Sequence, residues 1–321
     1  MSKIVGIGNS LVDIVLDIDS EQVLNKNGFP KGSTEHVDKT QFDKIYSAVD
    51  PQQATVSSGG SAANTVSALA NLGVEAAFTA VIGNDDHGKL FKEELQKSGV
   101  KLNLIEKEGE TGKVLHLISP DKEGTTIGFP GVNNEFKPGD LSEKYFYGYE
   151  YLYIDGYLMN NHPLMKALAD FGKLNDMKVV FDIASSHFAE GNREFLKSFI
   201  KEKVDILFAN DLEVFSYTGQ EPERAIRKLA KDVDTVVIKL GSRGSYIQRG
   251  AEFYHISAAP AEVIDTSGAG DLYAAGFLYG LMENYHLTHC GKIGAFLAAK
   301  ILREKGARFS FENWREIKKM I

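Results

Sequence analysis

A glycine-rich loop near the C-terminal end of the chain carries the residues best suited to chemistry. Residues 265–271 read Asp-Thr-Ser-Gly-Ala-Gly-Asp and lead directly into a predicted helix. The backbone amides of Gly268, Ala269 and Gly270 and the positive end of the helix dipole favour an anion, such as a phosphoryl group in transfer. Asp271 lies in the first helical turn, where its carboxylate can orient an attacking hydroxyl and accept its proton late in the reaction. The alternative is that Asp271 only complements the helix dipole.

A second glycine turn opens an alanine-rich helix earlier in the chain. Residues 59–65 read Gly-Gly-Ser-Ala-Ala-Asn-Thr, so Gly60 and Asn64 lie at the start of a helix predicted over residues 61–72. Asparagine is disfavoured inside a helix because its amide competes with the backbone. Asn64 beside small alanines therefore indicates a polar ligand on that face, or alternatively a plain hydrogen bond between helices.

Asn9 and Asp13 follow the first predicted strand, in a stretch that reads Gly-Ile-Gly-Asn-Ser-Leu-Val-Asp over residues 6–13. That position is the carboxyl edge of the sheet, where open α/β folds bind ligands, and an amide beside a carboxylate suits neighbouring sugar hydroxyls. The stretch also begins like a dinucleotide-binding fingerprint. Leu11 replaces the third glycine and a strand follows where that motif requires a helix, so we reject a dehydrogenase.

Residues 83–90, which read Gly-Asn-Asp-Asp-His-Gly-Lys-Leu, match the spacing of a phosphate-binding P-loop. Leu90 stands where Ser or Thr must meet magnesium, and Asp85 and Asp86 inside the loop would repel phosphate. We interpret this segment as the start of a helix that Asp85 or Asp86 caps.

Two further candidate groups have strong structural alternatives. Asn210 and Glu213 follow a predicted strand with a spacing that places both on one helical face, within reach of a metal–phosphate. The alternative is a capping box, with Asn210 as the N-cap and Glu213 as its partner.

Residues 239–244 read Lys-Leu-Gly-Ser-Arg-Gly and follow a buried strand. This loop could let a nucleotide lie against bare backbone, and equally it could be a glycine hairpin.

A parallel sheet would bring these separate candidates together. From residue 151 onward, predicted strands alternate with predicted helices, which is typical of βαβ units. The predicted fold class is α/β: a doubly wound, mostly parallel sheet with helices on both faces, forming one domain over residues 1–321. The strand-rich segments 13–37 and 101–129 interrupt the alternation, and we predict that they form a small β-sheet lid inserted in this domain.

The composition of the 321-residue chain excludes several functions. A net charge of −8 lacks the basic field that a nucleic-acid partner would require. Cys290 is the single cysteine, so neither an internal disulfide nor a cysteine metal cluster is expected. The start of the chain has no signal-peptide pattern, and no apolar run approaches the roughly 18 residues of a membrane helix. We predict a cytoplasmic protein without a membrane partner, either a monomer or a homodimer.

Residues 59–64 and 265–271 together resemble the two signatures of the ribokinase-like, or phosphofructokinase-B type, carbohydrate and nucleoside kinases. The resemblance spans nearly the whole chain, and both signatures stand in the expected order. It implies a doubly wound α/β domain with a β-sheet lid, and direct in-line transfer of the ATP γ-phosphate to a hydroxyl of a nucleoside or sugar. Residues 8–14, 31–33 and 156–158 look most like the adenosine-kinase branch. A sugar kinase of the same family, for ribose, fructose or a related sugar, and a non-catalytic binding protein remain alternatives.

The resemblance also implies a role for each candidate residue. Asp271 would be the base, and Gly268, Ala269 and Gly270 would form the anion hole. The acceptor hydroxyls would be bound by Asn9, Asp13, Gly60 and Asn64. Lys239, Gly241 and Gly244 would line the nucleotide, whereas Asn210 and Glu213 would act on the magnesium–phosphate side, Glu213 through water. Many members bind a monovalent cation such as K⁺ beside the anion hole, and the corresponding positions here are Asp265, Ser267, Gly306 and Ser310.

Overall fold

The computed structural model describes residues 3–121 and 123–321, which fold around two β-sheets. The described strands are, in chain order, β1 (Lys3–Ile7), β2 (Leu11–Asp17), β3 (Thr34–His36), β4 (Thr55–Gly59), β5 (Glu75–Gly83), β6 (Lys101–Lys107), β7 (Gly112–Ile118), β8 (Gly124–Phe129), β9 (Tyr151–Asp155), β10 (Lys178–Asp182), β11 (Ile206–Asn210), β12 (Thr235–Lys239), β13 (Ser245–Arg249) and β14 (Glu252–Ile256). The α-helices are α1 (Gln22–Asn27), α2 (Lys39–Tyr46), α3 (Ser61–Leu72), α4 (Asp86–Lys97), α5 (His162–Leu174), α6 (Ser186–Gly191), α7 (Arg193–Lys203), α8 (Asp211–Thr218), α9 (Pro222–Leu229), α10 (Ala269–Met282), α11 (Leu287–Ile301) and α12 (Phe311–Ile317).

The larger sheet has the strand order β14-β13-β12-β11-β10-β9-β1-β5-β6. All neighbours from β12 to β6 pair in parallel, and β13 and β14 add an antiparallel edge. Successive residues of β9 alternate between two cores, because Leu152 and Ile154 pack on one face and Tyr153 on the other. Helices cover both faces, which confirms the predicted doubly wound fold.

The smaller sheet has the strand order β3-β8-β7-β2-β4. One face is apolar, with Val12, Ile14 and Leu16 of β2 packed on Phe42 and Ile45 of α2. The opposite face carries polar side chains toward the larger sheet, as the two-residue repeat of a strand requires.

The predicted limits of the small sheet need two corrections. Residues 101–107 were assigned to it, but they form β6, which follows α4 and pairs in parallel with β5 as the last strand of a βαβ unit. The second segment therefore contributes only β7 and β8. The small sheet also contains β4, outside both predicted segments, because β4 pairs antiparallel with β2.

Close packing fixes the helix that carries Asp271. A Cβ atom added to Gly276 of α10 would lie 2.9 Å from the Cα atom of Gly294 on α11, so the two helix backbones nearly touch. No helix in the described residues is long and apolar enough to span a membrane.

Candidate active site

A cavity of about 1270 Å³ lies between the carboxyl ends of the parallel strands and the polar face of the smaller sheet. Most of the predicted site residues border this cavity, although they come from distant parts of the sequence. They are Asn9, Asp13, Gly60, Asn64, Asn210, Glu213, Lys239, Gly241, Ser267, Gly268, Gly270 and Asp271.

Asp271 is held by two side chains from the other signature helix. Ser61 Oγ donates a hydrogen bond to Asp271 Oδ1 at 2.7 Å, and Asn64 Nδ2 donates one to Oδ2 at 2.9 Å. The interhelical hydrogen bond of Asn64, offered as an alternative to ligand binding, is therefore present, and Asn64 borders the cavity as well. Burial raises the pKa of Asp271, although the two donors oppose this shift. A raised pKa makes this carboxylate a better proton acceptor.

The first turns of two helices point into the same region. Gly268 is the N-cap of α10 with a φ of 70°, and Gly60 is the N-cap of α3 with a φ of 96°. The first amides of a helix have no partner within the helix, so they can donate to an anion. Gly268 and Gly270 border the cavity, whereas Ala269 does not, and the Ala269 amide donates a long hydrogen bond of 3.4 Å to the Thr266 carbonyl oxygen.

We expect Gly268→Ala to lower the free energy of unfolding by about 1–3 kcal/mol. The new Cβ atom would lie 2.5 Å from the Cβ atom of Ala307, and the positive φ adds strain. Gly250→Ala is the matched control, because Gly250 also has a positive φ (54°) but nothing within 4 Å of the added atom. Urea denaturation of both variants measures the difference, and equal losses would contradict a tight contact between Gly268 and Ala307.

Two buried aspartates at the carboxyl edge of the larger sheet were missed in the sequence, and only Asp182 borders the cavity. Asp155 and Asp182 end the neighbouring strands β9 and β10, and each is 1% exposed. Asp182 Oδ2 accepts hydrogen bonds from Lys239 Nζ at 2.9 Å and from the Tyr153 hydroxyl at 3.3 Å. Each aspartate is the polar last residue of its strand, a position that Asn210 shares at the end of β11.

Lys239 supplies the positive charge of this acidic cluster. Burial alone would lower the pKa of Lys239, but Asp182 and Glu213 outweigh burial and raise it, so the side chain is an ammonium ion. Its Nζ atom lies 3.3 Å from the position that a Cβ atom on Gly270 would occupy. A fixed cation therefore lies directly beside the predicted anion hole.

Glu213 is 4% exposed and forms the capping box that was predicted as the alternative. Its Oε1 and Oε2 atoms accept hydrogen bonds from the Asn210 side-chain and backbone nitrogens, both at 2.7 Å. Burial raises the pKa of Glu213, whereas Lys239 lowers it. Because both carboxylate oxygens already accept hydrogen bonds, Glu213 is better placed to act on a metal through water than as a direct ligand.

The described residues contain no group of three or more His, Cys, Asp or Glu side chains placed to hold a metal ion. Asp182 and Glu213 nevertheless border the cavity with acidic side chains. This arrangement fits a magnesium ion that enters on phosphate oxygens and is held through its waters, rather than one bound by the protein alone.

Burial raises the pKa of Asp155 to about 7, and this shift predicts a pH-dependent stability. In the unfolded chain this carboxyl ionises near its ordinary value of about 4. The folded protein therefore holds the proton more tightly, and the stabilisation from this group is complete below about pH 4 and lost as the pH rises through 7.

We expect Asp155→Asn to stabilise the protein at pH 8 by a few kcal/mol and to have little effect at pH 4. The amide oxygen introduced there can still accept the hydrogen bond that Tyr157 N donates to Asp155 Oδ1 at 2.9 Å. Asp86→Asn is the control, since Asp86 is exposed and paired with Lys89. Urea denaturation at both pH values is the measurement, and a stability difference that does not change with pH would contradict a buried, protonated Asp155.

The nucleotide-side loop has the hairpin structure that was predicted as its alternative. Residues 239–244 connect the antiparallel strands β12 and β13, and Gly241 borders the cavity. Gly244 is not among the residues that border the cavity, and a Cβ atom there would lie 1.9 Å from the backbone oxygen of Ile256. Gly244 therefore serves close backbone packing in this structure.

Three of the four predicted monovalent-cation residues are joined by hydrogen bonds. Asp265 Oδ1 accepts a hydrogen bond from Ser267 N at 2.9 Å, and its Oδ2 accepts one from Gly306 N at 2.8 Å. Burial would raise the pKa of Asp265, but these backbone donors outweigh burial and lower it. Ser310 Oγ instead accepts a hydrogen bond from Asn313 N at 3.2 Å and caps α12.

An aromatic wall, formed by His36, Tyr157 and Phe188, borders the cavity. The His36 and Phe188 rings stack with centroids 5.3 Å apart, and Tyr157 meets Phe188 edge-on at 6.0 Å. Burial, and then His187, lower the pKa of His36, which favours the neutral ring. These residues come from three separate segments, and no local pattern in the sequence predicts that they contact one another.

Comparison with known proteins identifies the family. The family described as "pfkB family carbohydrate kinase" matches residues 33–314. A protein named "Uncharacterized sugar kinase" from Archaeoglobus fulgidus is 26% identical over 250 residues, covering 75% of this chain and 96% of its own. A ribokinase from Haemophilus influenzae is 28% identical over 288 residues, covering 86% of this chain and 90% of its own. The crystal structure of adenosine kinase from Sinorhizobium meliloti superposes with a TM-score of 0.91 at 29% identity. The match covers 100% of this chain and 99% of the adenosine kinase chain.

These matches confirm the resemblance that the two glycine-rich signatures indicated, and the fold with it. The relatives include both sugar and nucleoside kinases, so the comparisons support phosphate transfer with ATP but leave the acceptor open. The chain therefore belongs to the PfkB family of carbohydrate kinases.

Proposed function

We propose that this protein transfers the γ-phosphate of ATP to a hydroxyl of an adenosine-like nucleoside. One observation carries the proposal: Asp271 stands at the start of α10 beside Gly268 and Gly270, with its carboxylate fixed by Ser61 and Asn64. This places a proton acceptor next to free helix amides within one cavity.

In the proposed reaction, the acceptor hydroxyl oxygen forms a bond to the γ-phosphorus while the bond from that phosphorus to the β–γ bridging oxygen breaks. The hydroxyl proton passes to Asp271, and the products are ADP and a phosphate monoester. The amides of Gly268, Ala269 and Gly270 and the Lys239 ammonium would stabilise charge on the phosphoryl oxygens in the transition state. Asn9, Asp13, Gly60 and Asn64 would bind and orient the acceptor.

When bound with ATP, magnesium neutralises phosphate charge. Asp182 and Glu213 would hold its waters, and Gly241 and Lys239 would line the nucleotide. Asp265, Ser267, Gly306 and Ser310 would surround a monovalent cation such as K⁺, and the Ser310 hydroxyl also caps α12. The protein's own contribution is to exclude water, hold the acceptor and present fixed donors.

The aromatic wall supports a nucleoside rather than a simple sugar. A flat, uncharged base gains stacking energy of about 1–3 kcal/mol on such rings, whereas ribose or fructose has no aromatic face to offer. Asn9 and Asp13 border the same cavity as the wall and the anion hole, and their amide and carboxylate suit ribose hydroxyls. Adenosine is also the acceptor implied by the name of the Sinorhizobium meliloti enzyme.

A coupled ADP-release assay with adenosine, other nucleosides, ribose and fructose tests the proposal. We expect ADP to form with adenosine at a kcat/KM at least about tenfold above that with ribose. A preference for ribose or fructose would indicate a sugar kinase instead. No acceptor-dependent ADP from any compound would indicate a binding protein without turnover.

We expect Phe188→Ala to lower kcat/KM for adenosine about tenfold and to leave any turnover of ribose nearly unchanged. Phe195→Ala is the matched control, because Phe195 also stacks on a histidine, His162, at 3.9 Å but does not border the cavity. Equal losses for the two acceptors would show that Phe188 supports the fold rather than a base.

A further inference from the structure

Arg308 is a half-buried cation that the proposed reaction does not use. It lies between α11 and α12, and its Nε atom donates a hydrogen bond to Asn64 Oδ1 at 3.3 Å. Its Nη1 atom makes a marginal contact with Ser67 Oγ at 3.5 Å. Its Nη2 atom is buried without a hydrogen-bond partner among the described residues.

Such a residue is costly if it serves packing alone. A buried donor without a partner costs about 1–3 kcal/mol, and burial lowers the pKa of Arg308 to about 10 against the pull of Glu94, Asp13 and Asp271. An apolar side chain of similar size would fill the same space without this cost. The charge and the donor geometry of Arg308 therefore call for another explanation.

That explanation lies in the orientation of the Asn64 amide. An asparagine amide can rotate by 180°, and its two orientations exchange a donor for an acceptor. In one orientation Asn64 donates to the Asp271 carboxylate, as it does here at 2.9 Å. In the other, its carbonyl oxygen would face the negatively charged oxygen of Asp271.

We propose that Arg308 is a positioning residue that keeps the Asn64 amide donating to Asp271. Arginine has only donors, so it can bind only the oxygen side of the amide, and the nitrogen side is left for Asp271. This inference rests on the proposed role of Asp271 as the base. It adds a third element, the segment between α11 and α12, to the two signature helices that shape the site.

A double-mutant cycle tests the route through Asn64. Arg308→Met should lower kcat about tenfold with little change in the KM for ATP, because a misplaced base slows the chemical step. In an Asn64→Ala background the same change should have less than about a twofold effect, since no amide is left to orient. Equal losses in both backgrounds would overturn the proposal. Arg308→Lys, which keeps a donor and its charge, should recover part of the lost kcat.

A second readout does not depend on turnover. In protein labelled with ¹⁵N-asparagine, the Asn64 side-chain amide signal is the one that disappears in Asn64→Ala. It should shift with pH in the wild type as Asp271 titrates, and in Arg308→Met this response should be lost or the signal should split in two. An unchanged response would overturn the proposal. If the wild type releases no acceptor-dependent ADP, the proposed function fails and this signal alone decides the role of Arg308.

Trp314 reports whether the variants remain folded. It is the single tryptophan, it is 6% exposed, and it borders a cavity of about 30 Å³ together with Arg308 and Asn64. Its fluorescence should therefore stay blue-shifted in a folded variant. If Arg308→Met shifts the emission to the red, Arg308→Gln takes its place in both measurements. The same results are expected, because a glutamine amide can accept as well as donate and does not select one orientation of Asn64.

Discussion

Asp271→Asn is expected to lower kcat by at least about a hundredfold and to leave the KM for the acceptor near that of the wild type. The substitution removes the proton acceptor but keeps the shape of the site. The amide oxygen introduced there can still accept the hydrogen bond that Asn64 donates at 2.9 Å. The amide nitrogen can donate to the Ser61 hydroxyl, which in the wild type is itself the donor at 2.7 Å. Binding should therefore persist while the chemical step fails. Steady-state kinetics in the ADP-release assay measures both constants.

Asp86→Asn is the control for this substitution. Asp86 also lies in the first turn of a helix, α4, but it is exposed and paired with Lys89 at 2.9 Å. We expect it to keep wild-type kcat. If Asp271→Asn retained kcat within about threefold of wild type, the alternative from the sequence would hold, and Asp271 would only complement the helix dipole.

The pH dependence of kcat/KM is a second test of Asp271 as the base. Burial raises the pKa of Asp271, and only its ionised form accepts a proton. The kcat/KM of the wild type should therefore rise with pH through that pKa and level off above it. This limb of the profile should be absent from the residual activity of Asp271→Asn.

The sequence predicts the larger sheet well because local and long-range signals agree there. Short β-branched runs separated by helices specify parallel strands, and each strand end then lies at one edge. The smaller sheet was less predictable. Residues 101–107 and 112–118 look alike as strands, and only pairing with β5 or with β2 separates them. That choice depends on the whole topology rather than on local composition.

The candidate site likewise contains residues that the sequence predicted and residues that it did not. Residues beside a glycine-rich turn, such as Asn64 and Asp271, were predictable because the turn and the polar residue occur together. Asp182 and Arg308 were missed, since each contacts a partner that is distant in the sequence and only Asp182 carries a local sign, its position at the end of a strand. Asp182 accepts a hydrogen bond from Lys239, and Lys239 lies on β12, two strands away from Asp182 in the sheet. A polar residue ending a buried parallel strand is the one local sign of such a partner.

Lys239→Met is expected to destabilise the protein by about 3–5 kcal/mol, because it removes one partner of a buried ion pair. The side chains of Lys239 and Asp182 are 14% and 2% exposed, with 2.9 Å between Nζ and Oδ2. Glu213 also loses the cation that lowers its pKa, so it becomes easier to protonate. The deficit should therefore shrink as the pH falls and Glu213 takes up a proton. Urea denaturation at pH 5 and pH 8 measures the deficit.

Lys203→Met is the matched control, because Lys203 pairs with Asp170 at 2.8 Å on the surface and should contribute no more than about 1 kcal/mol.

The double variant Lys239→Met with Asp182→Asn separates the effect of Lys239 on stability from its effect on catalysis. Neutralising Asp182 should recover part of the stability lost in Lys239→Met, since one buried charge no longer lacks a partner. It should not recover kcat, because no cation then lies beside Gly270 and the phosphoryl oxygens. Recovery of both together would mean that Lys239 acts on catalysis only through folding.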